Sequence, residues 1–208
     1  MHLAQDMNRL TRRVPTWLVW CLGMAPLTWL AWGLGLALQG QSGPLGVDPV
    51  KTLEHETGLL ALQFLIAGLA VTPLRRFAGL NLIKFRRALG LIALTYLLAH
   101  IATWAVLDVQ AVSRVIEDLT SRTYIMVGMA GFLLLVPLAW TSRNTAIRRL
   151  GAVRWRRLHM LVYPAILLGG LHFVMSVKGW PVEPLAYLGA ISFLLGLRLL
   201  PRRRHASV

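Results

Sequence analysis

Residues 88–107 read ALGLIALTYLLAHIATWAVL, twenty positions in which two threonines, one tyrosine and one histidine interrupt an otherwise apolar run. At a rise of about 1.5 Å per residue, twenty residues of helix cover about 30 Å, the thickness of a bilayer's hydrocarbon core. Arg86 and Arg87 stand directly before the run. The stretch therefore reads as a membrane-spanning helix, and it sets a problem, because His100 places a titratable ring inside it.

The same window, moved outward along the chain, finds five more candidate spans at roughly 15–38, 53–72, 124–141, 159–177 and 183–200. Composition agrees: 56% of residues are hydrophobic and 14% are charged, where a soluble domain carries about 25% charged residues. The expected fold is an all-α, polytopic six-helix transmembrane bundle at 15–200, flanked by tails at 1–14 and 201–208. The second span is the shortest in apolar terms, because Glu54, His55 and Glu56 sit at its start. Pro137 and Pro164 fall inside spans, where neighbouring helices can satisfy the freed carbonyls. The basic start MNRLTRR leads into an apolar run with no small-residue cleavage site after it. That run is expected to be a retained span rather than a removed signal peptide.

The net charge of +14 is distributed as a membrane topology signal, which argues against nucleic acid as a partner and for the lipid bilayer. Eighteen of the 22 lysines and arginines fall in the N-terminal tail, in the second–third and fourth–fifth connections, and at the C-terminal end from Arg198 onward. Lys51, Arg114, Arg122 and Lys178 are the four on the other side. The positive-inside rule then places both termini in the cytoplasm. A single cysteine, Cys21, excludes a disulfide framework, covalent CxxCH haem attachment and a cysteine-ligated iron–sulfur cluster.

His2 and His205 belong to the tails. His100 and His172 occupy different spans at similar depth, toward the end opposite the arginine clusters. Two imidazoles so placed suit the axial positions of a b-type haem, which needs no cysteine; a pair of interhelical hydrogen-bonding histidines is the other reading. His159 lies thirteen residues before His172, about 20 Å along a helix, near the arginine-rich boundary and with no histidine to match it. His55 is either a loop residue or part of a site for a flavin, quinol or partner. The tryptophans near span ends read as an interfacial belt. No GxGxxG follows a strand and no nucleotide-binding domain fits in the chain; no acid–base or nucleophile constellation appears either.

Seven segments carry a family resemblance: GMAPLTWL (23–30), LGVDPVKTLEHETG (45–58), TPLRR (72–76), RRALGL (86–91), LAWTS (138–142), RRLHMLVY (156–163) and LHFVMSVK (171–178). On these the chain resembles the MsrQ (YedZ) haem-binding membrane subunits, related to the ferric reductase and NADPH oxidase transmembrane domain. The resemblance implies a bacterial inner-membrane electron-transfer subunit holding b-type haem, one or two, and FMN. It implies electrons arriving from the quinone pool or a cytosolic flavin reductase. It also implies their delivery to MsrP, a periplasmic molybdopterin enzyme that reduces methionine sulfoxide in oxidised proteins. By motif match the haem-linked histidines are His100, His172 and His159; no FMN contact is carried over. Three positions depart from the family pattern: Ala99 before His100, Thr123 before Tyr124, and three residues between Gly151 and Trp155. Two other readings of the residues stay open, a stand-alone ferric or quinone reductase and a small transporter with proton-relaying histidines.

Overall fold

The computed structural model describes residues 2–179 and 181–200. The tail 201–208, with Arg202, Arg203, Arg204 and His205, lies outside the described residues, as do Trp180 and the side chain of His2. Nine α-helices occur among the described residues: α1 (His2–Arg13), α2 (Thr16–Leu38), α3 (Pro49–Phe77), α4 (Arg86–Ala102), α5 (Val112–Ser121), α6 (Thr123–Trp140), α7 (Asn144–Leu158), α8 (Val162–Ser176) and α9 (Val182–Leu199). Short 3₁₀ turns at Ile83–Phe85 and His159–Leu161 lead into α4 and α8, and a π-helical segment, Thr103–Val109, continues α4. Six segments are long and apolar enough to cross a membrane, and the six expected spans fall on them.

The bounds shift where polar residues hid them. The second span begins at Pro49 rather than 53, because Asp48 caps it: its side chain accepts from the Lys51 backbone N–H at 3.1 Å, and Pro49 takes the first helical position. It then continues to Phe77. At 29 residues this helix is about 44 Å long, well beyond the hydrocarbon thickness, so Glu54, His55 and Glu56 ride on its extended end. The N-terminal tail is itself helical. Asn8 Nδ2 donates to Gly79 O at 2.9 Å, and Lys84 Nζ bonds the terminal carbonyls of Arg12 and Val14 at 3.0 and 2.7 Å. In α7 the chain breaks at Gly151, whose φ of 74° is left-handed and cheap only for glycine. Pro164 causes no kink, since α8 starts at Val162 and the proline falls in its first turn, where no intrahelical donor is needed.

Helix α3 is the centre of the bundle. It packs most extensively on α4, while α6 packs most extensively on α8; α9 covers α8 and α3, and α2 covers α4. Ile92, Tyr96, Ile166 and Ile191 are fully buried in these seams. Trp17, Leu22, Trp29 and Leu38 face outward, as a lipid-covered surface requires.

Two broken backbone bonds are repaired by side chains from neighbouring helices. The Tyr96 hydroxyl donates to Gly23 O at 2.7 Å and accepts from Leu27 N at 3.0 Å, inserting itself into one rung of α2 beside Pro26. Pro73 has no N–H for Leu69 O, its partner four residues back, and Arg198 Nη2 donates to that carbonyl instead. Arg198 Nη1 also donates to Tyr163 OH at 2.9 Å. One arginine thus ties α9 to α3 and α8.

Candidate functional site

His100 projects from α4 toward α3, and its Nδ1 lies 2.8 Å from the carbonyl oxygen of Glu54. His172 projects from α8 toward α6, with Nδ1 2.7 Å from the carbonyl oxygen of Tyr124. A carbonyl only accepts, so each Nδ1 carries the proton and donates. Each neutral ring then presents Nε2 with a free lone pair, the form that binds a metal. Backbone carbonyls of this kind are the usual orienting partners of metal-ligating histidines.

The two mounts repeat one local design. Four residues after each accepting carbonyl stands a glycine, Gly58 after Glu54 and Gly128 after Tyr124. A Cβ on Gly58 would lie 2.9 Å from His100 Nδ1, and one on Gly128 would lie 2.7 Å from His172 Nδ1. The imidazoles therefore rest against bare helix backbone, which is why they reach the carbonyls at all.

The ring centroids are 6.2 Å apart and the ring planes cross at 80°. Two metal–imidazole bonds of about 2.0 Å, with about 1.1 Å from each nitrogen to its ring centre, call for about 6.2 Å when both rings grip one ion from opposite sides. The spacing therefore fits both rings holding one metal between them. Among the described residues no cluster of three or more His, Cys, Asp or Glu could hold a metal ion, so the chain supplies two ligands here rather than a complete set.

The space beside the pair is a cavity of about 450 Å³ between α3, α4, α6 and α8. Leu62, Leu65, Leu97, Phe132, Leu135 and Ala165 make its deep part apolar, while Lys51, Glu54, His55 and Ser176 line its other end. Lys51 Nζ sits 2.8 Å from Asp108 Oδ2 and 3.5 Å from Glu54 Oε2. His55 belongs to α3 rather than to a loop. It lines this cavity, with its side chain 48% exposed, and its ring centre is 5.9 Å from that of Phe173.

His159 lies apart, at the arginine-rich end, and makes different bonds. Its Nε2 is 3.2 Å from Thr141 Oγ1 and its ring centre is 3.9 Å from that of Trp155. The Thr141 hydroxyl gives its proton to Pro137 O at 2.6 Å, so it accepts from His159, and the free lone pair on this ring is at Nδ1. Trp155 Nε1 donates to Thr141 O at 2.9 Å, so it is fixed as part of this cluster. The structure thus brings His100 and His172 together and leaves His159 with neither.

Sequence reasoning did not find Gly58, Gly128, the Glu54 and Tyr124 carbonyls, or the Lys51–Asp108 pair. Only the glycines left a trace. A glycine inside an apolar helix costs up to about 1 kcal/mol against alanine, which marks a place where something approaches closely.

The chain matches the family of ferric reductase-like transmembrane components over residues 56–170. It is 48% identical over 204 residues to the protein-methionine-sulfoxide reductase heme-binding subunit MsrQ of Brucella anthropi, covering 98% of this chain and 90% of that one. The protein of the same description from Brucella ovis is 48% identical over 193 residues, covering 92% and 86%. No solved structure matches. With the helices and the histidine pair in place, this similarity over nearly its full length shows that the chain belongs to the MsrQ family of ferric reductase-like membrane proteins.

Proposed function

We propose that the chain is the membrane electron-transfer subunit of a methionine sulfoxide reductase system, with b-type haem held between His100 and His172. The observation that carries this reading is the pair itself: two Nδ1-protonated imidazoles on separate helix pairs, 6.2 Å apart at a cavity of about 450 Å³. When bound, haem supplies a one-electron couple that an apolar bundle lacks. The polypeptide orients both ligands through backbone carbonyls, lines the deep end with leucines and phenylalanine, and lines the other end with Lys51, Glu54, His55 and Ser176.

Donor and acceptor follow from the family. Reducing equivalents come from the quinone pool or a cytosolic flavin reductase and go to the periplasmic molybdopterin enzyme MsrP, which carries out the sulfoxide chemistry. The arginine distribution supports a bacterial inner-membrane location with both termini cytoplasmic, and this puts the histidine cavity toward the periplasmic side. His159 joins the haem-linked set through the resemblance alone; ligation through Nε2 would require exchanging its bond to Thr141. FMN also comes only from the resemblance. The cavity offers a phosphate no unspent cation, since Lys51 is already bonded to Asp108 and Glu54, so we place no FMN there.

The test is spectroscopic. Protein purified after expression with ample haem should show a Soret band and a reduced α-band, lost in His100→Ala and in His172→Ala. Wild-type protein without a Soret band, or both variants retaining it, would overturn the reading.

A further inference from the structure

We infer that the Glu54 carboxylate sets the reduction potential of the group held by His100 and His172, holding it low, and that Lys51 and Asp108 determine how strongly it does so. The inference rests on the haem reading above and adds to it a residue that touches no iron. Glu54 does two separable things at this site. Its backbone carbonyl accepts from His100 Nδ1. Its carboxylate lines the same cavity and is only 22% exposed. Among the lining residues Glu54 is the only acid, and Lys51 is the only lysine or arginine.

Charge at this position is not cancelled locally. Lys51 Nζ is shared between two carboxylates and lies closer to the more remote one, 2.8 Å from Asp108 Oδ2 against 3.5 Å from Glu54 Oε2. The trio carries one net negative charge, and its least neutralised member, Glu54, is the one that lines the cavity. A group that gains an electron is one charge more positive when oxidised. A nearby carboxylate favours that oxidised form, and does so more strongly where burial limits screening by water and salt. Asp108 acts indirectly, by drawing the lysine away from Glu54.

This wiring predicts a pattern of signs that simple damage to the site does not produce. Glu54→Gln keeps the side chain's shape and the backbone carbonyl but removes the charge, so the potential rises. Asp108→Asn frees Lys51 to neutralise Glu54, so the potential rises again. Lys51→Met leaves both carboxylates bare, so it falls. The experiment is a spectroelectrochemical titration of the purified, haem-loaded membrane protein and these variants at about pH 8, more than about three units above the ordinary carboxylate range.

Poised at the wild-type midpoint, Glu54→Gln and Asp108→Asn should be more than half reduced and Lys51→Met less than half. No displacement in Glu54→Gln, or Glu54→Gln and Lys51→Met moving the same way, overturns the inference. If Glu54→Gln does not retain haem, Asp108→Asn and Lys51→Met decide by their opposite signs, and a shared sign refutes it. Failure of the underlying reading looks different: the wild type then has no haem to titrate.

Discussion

Alanine at Gly128 is the sharpest test of how the site is built. The new methyl would stand 2.7 Å from His172 Nδ1 and 3.0 Å from Cε1 and Cγ, inside ordinary contact by about 0.7 Å. The neighbour is a ring pinned at both ends, so it must swing out of its mount. Retreat by that distance stretches the 2.7 Å bond to Tyr124 O to about 3.4 Å, past useful geometry. The lost hydrogen bond costs about 0.5–1.5 kcal/mol, and an off-rotamer ring costs about as much again. A total of about 1–3 kcal/mol is a loss of roughly 5- to 150-fold in affinity, in line with the roughly 10- to 100-fold usual for disturbing a ligand's orienting partner. Haem titration of the apo-protein in detergent, followed at the Soret band, measures it directly. Loss of one axial ligand should also appear as high-spin character in a low-spin spectrum. Gly58→Ala should act in the same way and somewhat less, from 2.9 Å. Gly90→Ala is the control, since its Cβ would meet nothing within 4 Å. An unchanged spectrum and unchanged affinity in Gly128→Ala would refute the claim that bare backbone positions the ligand.

Other perturbations probe the remaining links. His159→Ala should retain the haem bound by His100 and His172; haem loss equal to that in His172→Ala, by pyridine haemochrome assay, would contradict the separation of the two places. Arg198→Met strands Leu69 O and Tyr163 OH, so thermal unfolding in detergent should show a loss of about 1–3 kcal/mol. Pro73→Ala restores an N–H opposite Leu69 O, so the double variant should recover part of that loss; additive or worse behaviour rejects the repair. Tyr96→Phe lets the Gly23–Leu27 rung re-form directly, so it should cost less than about 1.5 kcal/mol and leave the Soret band in place.

The spans were legible because hydropathy over twenty residues is a collective property that single polar residues barely change. Their ends were less so. Glu54, His55 and Glu56 looked like a boundary, yet helix α3 runs through them because the cap at Asp48 and Pro49 decides where it starts. Helices α1, α5 and α7 lie outside the apolar runs, and the span window did not report them. Within the site, the meeting of His100 and His172 could be read from their matched depth on two spans, and the structure brings the two rings together. Their mounts could not be read, because a backbone carbonyl has no sequence identity. Whether a glycine faces a histidine depends on helix rotation, which only packing fixes. His159 shows the same limit from the other side. By motif it matches the other two histidines, but the proton on its ring is assigned by a threonine eighteen residues earlier and that threonine's own bond to Pro137.

The pairing of α3 with α4 and of α6 with α8 also bears on biogenesis. Each pair carries one imidazole together with the carbonyl and the glycine that orient it, so α3 and α4 can reach their finished form before α6 and α8 leave the translocon, and the later pair needs no group from the earlier one for its own mount. What neither can do alone is coordinate a metal from both sides. A group held by both histidines, as proposed, would act as a keystone between two prefabricated halves. Cells short of haem should accumulate correctly inserted chains whose halves are loosely joined, and these are the molecules a membrane protease would recognise first.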